Sequence, residues 1–149
     1  MTASAPSLAF VFPGQGSQSV GMLAELAELH PEVRTTFEEA SEGAGGDLWA
    51  LSQQGPEEQL NRTEYTQPAL LAASIAVWRV WMAQGGTMPA QLAGHSLGEY
   101  SALVAAGSIA LVDAAHLVRI RGQAMQDAAP AGTGAMAAVL GAEDAGVEQ

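Results

Sequence analysis

Residues Leu92 to Tyr100, reading LAGHSLGEY, constrain this chain more than any other stretch. A short apolar entry runs without a gap into a Gly-x-Ser-x-Gly turn, Gly94 to Gly98, and then into helix-forming residues. That order predicts a nucleophile elbow, in which a strand turns sharply into a helix and lifts the serine hydroxyl clear of the backbone. Gly94 and Gly98 suit it, because the turn is strained and its neighbours pack closely. Ser96 then falls at a helix N-terminus, where free N–H groups can hold an oxyanion. The competing reading is a glycine-rich loop with a bystander serine, since 17 glycines in 149 residues give roughly 0.13 chance matches to the pattern. Tyr100 to Ala106 reads as helix, with Leu97, Leu103 and Val104 on its apolar face.

Upstream, Leu8 to Phe12 is a nearly all-apolar run ending at Pro13-Gly14, and it predicts a buried parallel strand. The following Gly14-Gln15-Gly16-Ser17-Gln18-Ser19 begins like a dinucleotide-binding loop, but Ser19 stands where the third glycine belongs, so that fingerprint fails. Helical spacing covers Met22 to Leu29. Pro31 opens a further helix through Phe37 towards Gly43, with Glu32, Glu38, Glu39 and Glu42 as a solvated face and not a metal site. Asp47 caps a short segment, Leu48 to Leu51, and Gln54-Gly55-Pro56 turns into one acidic helical turn, Glu57 to Leu60. The strongest helix starts at Thr66-Gln67-Pro68, Thr66 as cap and Pro68 in the first turn, and ends at Gly85-Gly86. Its apolar residues, Leu70, Leu71, Ile75, Val77, Trp78, Trp81 and Met82, cover most of its circumference, so it is expected to be buried against a sheet, the tryptophans in the core.

Downstream of Gly107, Leu111 to Met125 resumes helical spacing. Leu111, Ala114, Ala115, Val118 and Ala124 share one side, and Arg119 and Arg121 fall on different faces. Ala129 to Gly134 reads as a linker, Met136 to Leu140 as a strand and Glu143 to Gln149 as the first turns of a helix. This division gives a partial domain over 1–129 and the start of a second over 130–149.

Charge and composition narrow the class. Sixteen acidic residues face five basic ones, all arginine, for a net charge of −11. Nucleic acid and anionic lipid are therefore poor partners, and each scarce arginine needs a reason for its place. There is no cysteine, hence no disulfide, thiolate metal site or cysteine nucleophile. A hydrophobic content of 48% argues against disorder. The N-terminus has no basic region before its apolar run, and the longest apolar stretch, Pro68 to Ala83, is interrupted by Arg79. No membrane segment and a cytoplasmic location are the expectation.

Four segments then fall into one order: Phe10 to Gln18 (FVFPGQGSQ), Thr66 to Leu70 (TQPAL), Gly94 to Glu99 (GHSLGE) and Arg119 to Gly122 (RIRG). Together they resemble the acyltransferase family that loads malonyl groups onto acyl carrier protein, most of all its stand-alone bacterial members. The resemblance implies an α/β fold, an α/β-hydrolase-like large domain, here incomplete, with the start of an inserted ferredoxin-like small domain. It implies malonyl transfer from malonyl-CoA to the phosphopantetheine thiol of acyl carrier protein, in fatty acid or polyketide synthesis. No cofactor or metal is implied beyond these substrates. Ser96 matches the nucleophile that attacks the thioester carbonyl, and the backbone N–H groups of Gln15 and Leu97 match the oxyanion hole. Arg121 matches the arginine that pairs with the malonyl carboxylate; His95 matches a histidine beside the nucleophile, and Gln67 belongs with the substrate-binding set.

A serine nucleophile also needs a base, usually histidine. His30, His95 and His116 are the three present. His95 adjoins Ser96 on the elbow, where successive side chains diverge, and the other two sit at ordinary helix positions. In the family the catalytic histidine lies farther downstream, so the chain is expected to stop before it, to be poorly active alone and to expose apolar surface. Two alternatives stand beside the transferase: a serine esterase or thioesterase with water as acceptor, and a catalytically silent fragment or interaction module.

Overall fold

A computed structural model of the chain describes residues 8–129 and Gly141. The order is β1 (Ala9–Phe12), α1 (Ala24–Leu29), α2 (Glu32–Ala44), α3 (Leu48–Gln54), α4 (Glu57–Leu60), α5 (Thr63–Ala83), β2 (Gln91–Gly94), α6 (Leu97–Ala105) and α7 (Leu111–Ala128). It is a helix-rich α/β arrangement. The strand and helix expected at Met136 to Leu140 and Glu143 to Gln149 lie outside the described residues.

β1 and β2 pair in parallel, from Ala9 opposite Gln91 to Phe12 opposite Gly94. A parallel pair needs a crossover, and α1 to α5 supply it. Parallel pairing in this register brings both C-terminal strand ends to one edge. The Pro13–Gly16 loop and the His95–Ser96 turn leave the sheet side by side, and the His95 N–H extends the ladder by donating to Phe12 O at 3.2 Å.

α5 is the hub, packed against α2, α3, α6 and α7. Its mixed apolar circumference explains this, since it buries thirteen residues including Leu70, Leu71, Ile75 and Trp78. Alanines at 40, 72, 76, 114 and 115 are buried where α2, α5 and α7 meet, around Val33, Phe37 and Val118. Small side chains there let the helix axes approach closely. Phe10 and Phe12, two residues apart on one face of β1, reach the other side of α5. The Phe10 ring meets Trp78 edge-on at 5.3 Å.

The tryptophans divide. Trp78 is buried, whereas Trp81 is 38% exposed and donates its indole N–H to Thr87 O. The strand is also less buried than its apolar run implies: Phe12 is buried, but Val11, pointing to the opposite face, is 73% exposed. Leu103 likewise faces solvent on α6, leaving Leu97 as that helix's core anchor.

The start of α5 departs from the capping expectation. The helix begins at Thr63, one turn early, so Pro68 lies inside it. Thr66 is buried and donates its hydroxyl to Leu60 O and Arg62 O, tying α5 to the end of α4 instead of capping a first turn. Pro68 has no N–H for the carbonyl four residues back, that of Glu64. The Arg119 guanidinium of α7 donates to that carbonyl instead, at 3.4 Å.

Burial separates two aromatic-or-aliphatic truncations sharply. Phe37 is fully buried, so Phe37→Ala should cost about 3–5 kcal/mol in a urea titration. Val11→Ser, on the open face of the strand pair, should change stability by less than about 0.5 kcal/mol.

Candidate active site

The β2–α6 junction forms the elbow. Ser96 immediately precedes α6 with φ 54° and ψ −108°, a left-handed backbone that side chains rarely adopt. Two glycines make the corner possible by close approach. A Cβ on Gly98 would run into the Phe12 carbonyl and stand 2.8 Å from Pro13 O, and one on Gly94 would strike the backbone of Gly98 and Glu99. The turn is thus pressed against the end of β1 with no room for side chains.

Ser96 is exposed at the mouth of a cleft of about 530 Å³. Gln15, Gly16 and Gln18 line it from the β1 loop, Thr63 from α5, His95, Ser96 and Leu97 from the elbow, Arg121, Met125 and Gln126 from α7, and Ala129 from just past its end. A smaller apolar hollow of about 240 Å³ lies along β1, between Phe10 and Val77, and is lined by no titratable side chain. Two further hollows carry titratable side chains, one with Asp47, Tyr65 and Arg119 and one with Glu38, Glu42 and Asp47, but the larger cleft is the one that sets a serine hydroxyl against a guanidinium.

Arg121 reaches across it. One guanidinium nitrogen donates to Ser96 Oγ at 3.0 Å and the other to Gln67 Oε1 at 2.8 Å. Gln67 is fully buried, and its amide N–H₂ points to Met125 Sδ at 3.2 Å. A buried amide with both ends engaged has one orientation, so it fixes the guanidinium that it accepts from. Three of the other four arginines are ion-paired among the described residues; Arg121, like Arg34, has an aromatic neighbour instead, the Tyr100 ring at 5.9 Å. Arg79 pairs with Glu39 at 2.7 Å, Arg62 and Arg119 share Glu64, and Arg34 lies over the Trp49 ring. Arg121 has no carboxylate within ion-pair distance among the described residues. It is a guanidinium held ready in an open cleft beside a hydroxyl.

The remaining expected residues are placed as follows. Leu97 is the first residue of α6, so its N–H has no intrahelical acceptor, whereas Gly98 and Glu99 donate to His95 O and Ser96 O. Gln15 lies on the facing wall, its side chain donating to Thr63 Oγ1 at 3.2 Å. His95 lines the cleft, and no histidine among the described residues hydrogen-bonds Ser96. Away from the cleft, Arg119 stands 4.1 Å over the Tyr65 ring and, with Gln59, holds the Tyr65 hydroxyl below its ordinary pKa of 10.0. Sequence reasoning missed Thr63, Met125 and Ala129. Met125 and Ala129 follow Arg121 at intervals of four, so the helical face of Arg121 was the signal that pointed to them.

The comparisons with known proteins bear on this geometry. The family model described as "Acyl transferase domain" matches residues 9–147. The chain belongs to the acyl transferase family. The malonyl CoA-acyl carrier protein transacylase of Salmonella typhimurium is 66% identical over 139 residues, covering 93% of this chain and 45% of that protein. The crystal structure of malonyl-CoA:acyl carrier protein transacylase from Xanthomonas oryzae superposes with a TM-score of 0.92 at 77% identity, covering 97% of this chain and 46% of that one. A further similar structure is a malonyl-transacylase in complex with a holo type II PKS acyl-carrier protein, with a TM-score of 0.81 and 62% identity over 84% of this chain and 40% of that one. The chain thus spans about half the length of the relatives it matches. Among the described residues there is no helix long and apolar enough to cross a membrane and no cluster of metal-ligating side chains.

The strained corner makes its own prediction. With the hydroxyl removed in both, Ser96→Gly should be more stable than Ser96→Ala by roughly 1 kcal/mol in denaturant titrations, because glycine accepts a positive φ without strain.

Proposed function

We propose that this chain carries the acyl-enzyme chemistry of a malonyl-CoA:acyl carrier protein transacylase of fatty acid synthesis. The supporting observation is the Ser96 hydroxyl on its positive-φ corner, 3.0 Å from a guanidinium that has no carboxylate partner among the described residues. In the first half-reaction Ser96 Oγ attacks the thioester carbonyl of malonyl-CoA, the C–S bond breaks, and the proton from the hydroxyl ends on the coenzyme A thiol. The product is a malonyl ester of Ser96. In the second, the phosphopantetheine thiol of acyl carrier protein takes the acyl group and returns a proton to the serine.

The charge that develops on the tetrahedral oxygen suits two N–H groups on opposite walls of the cleft, those of Leu97 and Gln15. A preorganised donor of this kind is worth about 3–4 kcal/mol of barrier. Arg121 suits the malonyl carboxylate, since a planar guanidinium holds a carboxylate by two parallel hydrogen bonds. Acetyl would leave that charge unpaired, so the same side chain selects the substrate. His95 borders the acyl site, and Gln67 orients Arg121. The proton acceptor for the attack is assigned to a histidine in the part of the relatives' length that this chain does not span. The same reading takes residues 1–129 as part of an α/β-hydrolase-like large domain, 130–149 as the start of a ferredoxin-like small one, the location as cytoplasmic and the substrates as sufficient without a cofactor.

Peptide mapping by mass spectrometry after incubation with malonyl-CoA tests the reading, in a full-length transacylase carrying these 149 residues. A malonyl ester is expected on the peptide containing Ser96 and none in Ser96→Ala. Arg121→Ala should lower malonyl transfer about a hundredfold while sparing acetyl transfer, the cost of removing one partner of a hydrogen-bonded charge pair. Equal hydrolysis of uncharged esters by both forms would favour an esterase, and no adduct on Ser96 would contradict acyl transfer.

A further inference from the structure

Two elements supply the Gln67–Arg121 pair, α5 and α7, which pack along each other and approach backbone to backbone beside that pair. Gly122, the residue after Arg121, faces the first turn of α5 there. A Cβ on it would stand 2.6 Å from Thr63 O, 2.7 Å from Glu64 Cα and 2.9 Å from Glu64 N. All three are backbone atoms, so a side chain would part the helices instead of displacing a flexible group. The contact is also bolted electrostatically. Arg119, one turn earlier on α7, donates to the Glu64 carbonyl that Pro68 leaves without a helical donor, and it lies 3.5 Å from the Glu64 carboxylate. That carboxylate is 5% exposed, which leaves it little water to exchange partners with.

Every wall of the cleft except the elbow is tied to this point. Gln67 is one turn along α5 from Thr63, and Arg121 is adjacent to Gly122. Thr63 also accepts the Gln15 side chain, so the β1 loop opposite Ser96 is tied to the same turn. Ser96 itself belongs to neither helix. A change in the α5–α7 spacing therefore moves the guanidinium and its buried amide partner relative to the hydroxyl, while the elbow is held independently by Gly94 and Gly98 against β1.

We propose that Gly122 and Arg119 are positioning residues that set the reach of Arg121 to the acyl group on Ser96, and through it the preference for a carboxylate-bearing acyl chain. This rests on the acyl-transfer reading above. Neither residue touches the substrate. Gly122 sets the distance of closest approach and Arg119 locks it by holding an otherwise free carbonyl of α5. Helix propensity alone favours alanine over glycine in mid-helix, so on local grounds Gly122→Ala would be harmless.

The test uses a full-length enzyme in which residues 1–149 replace the aligned part of the 77% identical Xanthomonas oryzae transacylase. Acylation rates of Ser96 are measured with malonyl-CoA and with acetyl-CoA, beside the melting temperature. Gly122→Ala should lower the malonyl-to-acetyl rate ratio about tenfold, as expected when a charge pair loses its geometry. Arg119→Met, which inserts no Cβ at the contact and covers the case of a misfolded Gly122→Ala, should lower the ratio about threefold, with Arg119→Lys restoring most of it. A ratio unchanged within about twofold in both Gly122→Ala and Arg119→Met, with the two rates falling together, would make the contact merely structural and overturn the proposal. A parent enzyme that takes no malonyl group at Ser96 overturns the acyl-transfer reading itself, and this one with it.

Discussion

The contact between the Arg121 guanidinium and the Ser96 hydroxyl is the constraint on which the rest of the structure converges. It joins a residue of the fourth turn's worth of α7 to one at the head of α6, and nothing but the fold holds them together. β1 must pair with β2 in one register for the elbow to reach the sheet edge where the β1 loop also emerges. α5 must pack against both α2 and α7, themselves in contact, with most of its residues buried, for Gln67 to meet Arg121. A one-residue slip in the strand pair would turn Phe10 and Phe12 away from Trp78 and carry the elbow off the end of β1.

The electrostatics follow from scarcity. In a chain of net charge −11, a cation without a carboxylate partner is conspicuous: among the described residues Arg62, Arg79 and Arg119 are ion-paired, whereas Arg34 and Arg121 have only aromatic neighbours, Trp49 and Tyr100. Arg121 is instead held by neutral acceptors, an amide oxygen and a hydroxyl. Neutral partners fix its orientation without cancelling its charge, which suits a group meant to receive an anion. The acidic surroundings also raise the cost of bringing an anionic substrate near, so the field of this single guanidinium matters more than it would in a basic protein.

Much of this was legible in the residues. The elbow could be read because strain and close packing both demand glycine, and a Cβ on Gly94 or Gly98 would strike backbone. The collinear motifs placed Gln15, Gln67, Ser96 and Arg121 in one set before any geometry, and the structure brings them to one cleft or its floor. What could not be read was contact across the sequence. The direct bond of Arg121 to the serine joins residues 25 apart, and the tie between Gln15 and Thr63 joins residues 48 apart. Periodicity locates a face, not its partner. The start of α5 was misplaced for a related reason: Pro68 resembles a first-turn residue, and its position inside the helix is tolerable because a side chain from α7 satisfies the carbonyl that it frees. Val11 and Trp81 are apolar residues whose exposure depends on which surfaces are covered in three dimensions, and hydropathy does not report that.

The most direct test is a crystal structure of the full-length enzyme trapped as its malonyl-Ser96 ester. The account predicts that Arg121 leaves the serine oxygen and takes the terminal carboxylate in two parallel hydrogen bonds of about 2.7–2.9 Å, with Gln67 still holding it from behind. A malonyl carboxylate directed into solvent, with Arg121 unmoved and no nitrogen within reach of it, would contradict the account.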